Sequence, residues 1–110
     1  MQITVDDFDR VEVRVGTIMA VDMNKKARKP AYKLTVDLGE ELGIKTSSAQ
    51  ITDLYTAEQL VGRQAVFCVN LAPMHIGSVR SEVRILGADS PEGVVLLHPD
   101  REVQNGSVIF

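Results

Sequence analysis

Every odd position from residue 11 to residue 21 is Val, Thr or Met (Val11, Val13, Val15, Thr17, Met19, Val21), whereas Glu12, Arg14, Gly16 and Asp22 fall on even positions. Successive side chains of an extended chain point to opposite faces, so a period of two describes a strand with one buried and one wet face. Gly16 interrupts this strand partway along and predicts a bulge or sharp bend there. The same period returns at Tyr32, Leu34, Val36 and Leu38 against Lys33, Thr35 and Asp37. A third extended piece runs from Ile44 to Ile51 after an acidic turn at Glu40 and Glu41 bracketed by Gly39 and Gly43. Three strands joined by short connections make a meander.

Thr56-Ala57-Glu58-Gln59 has the spacing of a capping box, with a hydroxyl at the helix cap and an amide three residues later, and Gly62 stands where a short helix would stop. Ala65 to Leu71 is an apolar run of strand length ended by Ala72-Pro73. A loop opened by Gly77 then leads to Val83 and Ile85, which alternate with Glu82 and Arg84. Residues 94–97 and 103–110 make two more short extended pieces, with a turn at Asn105-Gly106. Three meander strands, a short helix between strands three and four, and two further strands give an all-β fold, a five-stranded barrel of the OB type. The barrel is expected over about residues 11–88, with extensions at 1–10 and 89–110.

A chain of 110 residues, 45% apolar and 25% charged, fits one globular domain spanning 1–110 and offers no candidate membrane segment. The single Cys68 excludes an internal disulfide and implies a reducing, cytoplasmic setting. The first residues show no basic stretch followed by an apolar one, so no secretory leader is expected. The ending Val108-Ile109-Phe110 needs cover, either on its own barrel or in a symmetric dimer.

Catalysis finds no support in the residue pattern. Cys68 lies in Val66-Phe67-Cys68-Val69 and reads as a buried small apolar residue. His75 and His98 have no partners at metal-ligand or triad spacing. Asp6, Asp7 and Asp9 read as caps of a turn or helix rather than as an acid–base or magnesium cluster. Phosphate-loop and dinucleotide glycine motifs are absent. A non-catalytic protein without cofactor or metal is expected.

Binding is what remains. Five of the twelve basic residues, Lys25, Lys26, Arg28, Lys29 and Lys33, fall within nine positions that hold no acid, in a chain whose net charge is −3. In an OB barrel this stretch is the loop between strands one and two, which flanks the ligand face on strands two and three. The opposite flank is the loop from Ala72 to Val79 leading into Arg80, and strand three offers Ser47, Ser48 and Gln50 as small donors. Tyr32 beside the cationic loop can stack on a base, but its register with Leu34 and Val36 favours the core.

Val13-Arg14-Val15-Gly16-Thr17-Ile18, the segment Ala27 to Leu34, Lys45-Thr46-Ser47-Ser48-Ala49-Gln50-Ile51-Thr52, Val69-Asn70-Leu71 with Pro73, and Arg80-Ser81-Glu82-Val83 closely resemble the CsaA chaperones. These belong to a wider tRNA-binding domain family found as free proteins and as appendices of aminoacyl-tRNA synthetases. The resemblance extends to Val95-Leu96-Leu97 and Pro99-Asp100. It implies a homodimeric OB fold whose extensions build the interface, here Phe8, Val108, Ile109 and Phe110. It also implies two ligands, tRNA and unfolded or pre-secretory polypeptide. Carried over by position, the RNA contacts are the cationic loop, Ser47, Ser48, Gln50, Asn70, Arg80 and Ser81. Where relatives often have basic side chains after the proline, this chain has Met74, His75 and Ile76. That exchange weakens the case for tRNA and suits an apolar peptide. The competing reading is a dedicated, structure-specific tRNA-binding protein with no chaperone role.

Overall fold

The computed structural model describes residues 1–110. In chain order the elements are α1 (Val5–Asp9), β1 (Val13–Met23), β2 (Tyr32–Asp37), α2 (Gly39–Leu42), β3 (Ile44–Ala49), α3 (Ala57–Leu60), β4 (Gln64–Cys68), β5 (Met74–Ile76), β6 (Val79–Ser81), β7 (Arg84–Ile85), β8 (Gly87–Ala88), β9 (Val95–Leu96) and β10 (Val108–Ile109). The main sheet runs β3-β2-β1-β4-β7, antiparallel throughout, and β10 adds to β1. It curls into a nearly closed five-stranded barrel, the OB-type architecture expected from the alternation.

The long β1 makes this closure possible because it pairs with two strands in succession, β4 over Val13–Thr17 and β2 over Thr17–Met23. The bulge needed to turn it is not at Gly16. The register with β2 shifts between Ile18 and Ala20, so Ile18 is fully buried while Met19 is exposed, the reverse of a uniform odd-inward strand. Gly16 serves close packing instead: a Cβ there would lie 2.7 Å from both Leu38 Cδ2 and Val36 Cγ1.

The core inside the barrel joins Ile18, Leu34, Val36, Leu38, Phe67 and Val83. The short α3 plugs it with fully buried Leu60. Thr56 and Gln59 form the expected reciprocal capping box on that helix. At the chain start Thr4 caps α1 and Asp7 returns the bond, so Asp7 serves as a cap residue. The acidic turn after β2 is the single helical turn α2.

One segment differs from the sequence expectation, and the tail takes one of the two courses left open for it. The stretch leading into the fifth strand is not an open loop but the hairpin β5–β6, turned at Gly77 with φ +61°. The final residues pair in sequence with their own barrel: Val13 lies opposite Ile109 and Arg14 opposite Val108. Gln64 holds the approach to that strand, donating to Val103 O at 2.6 Å and accepting from Val103 N at 3.1 Å. This satisfies the backbone of the tail yet leaves Val108 and Phe110 exposed.

Candidate nucleic-acid interface

The connection from β1 to β2 is a loop because Pro30 cannot donate to a ladder and because its base is closed by Asn24 N donating to Ala31 O at 2.9 Å. Ala27 N donates back to Asn24 O at 3.2 Å, tightening the turn. Lys25, Lys26, Arg28 and Lys29 are exposed and Lys33 is half-buried at the start of β2. None of the five makes an ion pair within the chain, so their charge is available to an outside anion.

Beside this loop lies a groove of about 760 Å³ between β3, the β5–β6 hairpin and β7. Ala49, Ile51, Val83 and Ile85 line it together with Leu71, Met74 and Ile76 of the opposite wall. Its polar points are Ser48, Gln50, Ser81, Glu82 and Arg84. Hydrogen bonds bind the walls together, with Ser48 N donating to Ser81 Oγ at 3.0 Å and Thr46 Oγ1 donating to Arg80 O at 2.6 Å. Glu82 accepts from Thr46 N at 3.1 Å and, also at 3.1 Å, shares with Arg80 O the one proton of the Thr46 hydroxyl. Burial works against its charge, but those two bonds and the nearby Lys45 and Arg80 hold its carboxyl below the ordinary value of 4.5.

The structure divides the residues that sequence reasoning grouped. Ser48, Gln50, Ser81, Met74 and Ile76 come together in the groove. His75 and Arg80 are cross-strand partners, both exposed, and do not line it. This follows from the two-residue period of the hairpin, which turns them to the face opposite Met74 and Ser81. Ser47 is a correction: it pairs with Leu34, is fully buried, and its Oγ makes no hydrogen bond within the chain. It faces the core, where no RNA can reach. Asn70 is also spoken for, since Oδ1 accepts from Glu12 N at 2.9 Å and Nδ2 donates to Arg10 O at 2.7 Å. It ties the N-terminal segment to the end of β4. Tyr32 packs against the core with its hydroxyl on Tyr55 O at 2.8 Å, as its register indicates.

Sequence reasoning missed Arg84, Leu71 and Glu82 as groove residues. The alternation of Glu82 and Arg84 with Val83 and Ile85 was the available signal, but it does not say which face borders a groove. A second cavity, about 550 Å³, lies around Arg14, Glu40 and Glu41 on another part of the surface. Burial opposes the charge on Arg14, yet its bonds to Glu12 and Glu41 outweigh that and hold the guanidinium above its ordinary value. With that cation already engaged and two carboxylates in the lining, the second cavity is poorly suited to phosphate.

Residues 13–108 match the family model described as tRNA binding domain. The chain belongs to the tRNA-binding domain family. Among solved structures, this tRNA-binding domain is similar to the CsaA chaperone of Picrophilus torridus, at 42% identity and a TM-score of 0.94 over 99% of this chain and 100% of that one. It is similar also to chaperone CsaA of Bacillus anthracis, at 41% identity and a TM-score of 0.93 over the whole of both chains. A methionine–tRNA ligase of Methanococcoides burtonii is 38% identical over 108 residues, 97% of this chain but 16% of the ligase. The tRNA-binding domain thus spans 14–16% of the length of such curated relatives.

Proposed function

We propose that this chain is a non-catalytic, CsaA-like binding protein of the cytoplasm that takes tRNA and unfolded or pre-secretory polypeptide in one shared groove. The observation that carries this reading is the joining of an unpaired cationic loop to a largely apolar groove edged by Ser48, Gln50 and Ser81. Phosphates bind the loop by charge, and bases or apolar side chains enter the groove beside Met74 and Ile76. The name of the two CsaA neighbours supports the chaperone half, and the family description supports the tRNA half. Dimerisation through the exposed Phe8, Val108, Ile109 and Phe110 is part of the same proposal.

A second reading, a dedicated tRNA-binding protein, draws on the charge of the loop alone. Titration with bulk tRNA at ~50 and ~200 mM salt, repeated with an unfolded apolar peptide as competitor, separates the two. Tight, salt-sensitive tRNA binding displaced by peptide is the expected result. Salt-sensitive tRNA binding with no peptide binding would leave the dedicated tRNA reading, and peptide binding without tRNA would leave a chaperone alone.

A further inference from the structure

Asn24 sits at the end of the long first strand's path into the cationic loop and is only 3% exposed. Its side chain leaves the loop altogether. Nδ2 donates to Ile76 O on the hairpin at 2.7 Å and to Ser48 Oγ on β3 at 3.0 Å. A carbonyl oxygen can only accept, so the bond to Ile76 fixes which end of the amide points to the hairpin. The same residue's backbone closes the loop base on Ala31 and holds the turn at Ala27. Loop and hairpin meet backbone to backbone at Gly77, where a Cβ would fall 2.7 Å from Ala27 N, Lys26 C and Asn24 Oδ1. The left-handed φ of +61° at Gly77 suits glycine for the same contact.

We propose that Asn24 is a positioning residue of the RNA surface, locking the cationic loop to the β5–β6 hairpin so that the loop cations and the groove wall face one RNA in a fixed arrangement. The inference rests on the tRNA reading above. Asn24 carries no charge and is buried, so it acts on affinity by ordering the cations before the RNA arrives, not by contacting phosphate. Ordering and charge leave different signatures: removing a phosphate contact lowers the salt slope, whereas loosening a loop that keeps its cations lowers affinity at an unchanged slope.

The experiment compares the wild type, Asn24→Ala and the triple reversal Lys26→Glu, Arg28→Glu, Lys29→Glu by tRNA titration at two salt concentrations and by amide hydrogen exchange. Asn24→Ala is expected to speed exchange at the Ala27 amide and to weaken tRNA binding roughly tenfold with the wild-type salt slope. Wild-type affinity in a variant with faster Ala27 exchange would overturn the proposal, as would unchanged exchange. A fall in the salt slope equal to that of a lost phosphate contact would overturn it too. If Asn24→Ala loses its fold by circular dichroism, Gly77→Ala, which forces the same two backbones apart, carries the same expected and overturning results. Loss of binding in the triple reversal with none in Asn24→Ala defeats only the positioning role, whereas tRNA binding that survives the triple reversal defeats the RNA reading itself.

Discussion

Thr46 and Glu82 bond to each other three times: Glu82 N donates to Thr46 O at 2.8 Å, and the Glu82 carboxylate takes both the Thr46 amide and the Thr46 hydroxyl at 3.1 Å. They join β3 to the strand segment that enters β7, across the one seam that no regular ladder spans in the main sheet. A carboxylate whose folded pKa is depressed stabilises the fold above its unfolded value of about 4.5, and that contribution is lost as pH falls through the folded value. Acid titration of unfolding is therefore expected to show a Glu82-dependent loss of stability below pH 4.5. Glu82→Gln flattens that part of the profile, and identical acid profiles for the two proteins would remove Glu82 from the seam's energetics.

Gly16→Ala tests the close approach of β1 to β2. The new methyl meets Leu38 and Val36 at 2.7 Å and Asp37 O at 3.0 Å. Overpacking of this kind costs about 1–3 kcal/mol, read as a lower urea midpoint at unchanged slope. A midpoint equal to the wild type would mean that Leu38 and Val36 have room to yield.

Gln64 anchors the C-terminal segment through Val103 and through Asn105 Oδ1 at 3.1 Å. Gln64→Ala should destabilise by about 1–3 kcal/mol and raise hydrogen exchange at the Gly106 amide, which otherwise donates to Val15 O at 2.7 Å. Exchange that stays slow there would show the tail to be held without Gln64, by β10 and by the bonds from Arg14, Val15 and Thr17.

Reversal of Lys26, Arg28 and Lys29 to Glu should abolish tRNA binding. If five duplex phosphates are engaged by the wild type, its affinity falls by about 4.5 log units per log unit of salt, and the variants' slope collapses. Apolar peptide affinity is expected to change little, which a competition titration reads directly.

Phe8 and Phe110 are 54% and 101% exposed at the two extensions. Phe8→Glu with Phe110→Glu should convert the proposed dimer to monomer in sedimentation without changing the far-ultraviolet dichroism. A double variant that sediments like the wild type would place the dimer interface elsewhere or nowhere.

Much of this is legible in the sequence. The alternation of β2, the Thr56–Gln59 capping box, the Pro30 break and the clustered cations each depend on neighbours a few residues apart, and each reappears in the fold, whereas the alternation read along β1 is lost to its register shift. The groove's small donors Ser48 and Gln50 were legible by residue type and place in the barrel, and Ser81, Met74 and Ile76 only through the family resemblance. Ser47 misled because residue type does not say what a side chain faces: a serine one step out of phase points inward. Asn70 stays exposed, with its amide bonded to the N-terminal segment.

By itself, the sequence determined the strand order of the meander, the short capped helix and the position of the positive charge, because period, cap and charge run are properties of adjacent residues. Tertiary structure alone decided that β1 shifts register after Ile18, that the segment before β7 folds as a hairpin, and that Asn24 reaches Ile76 and Ser48. The register shift and the Asn24 bonds pair atoms far apart in the chain, and the hairpin, though its own pairs are local, packs on β3 across a gap of more than thirty residues. A strand's register and a buried amide's partners are set by which surfaces meet on closure of the barrel, and a one-residue slip exchanges the two faces without changing the local pattern.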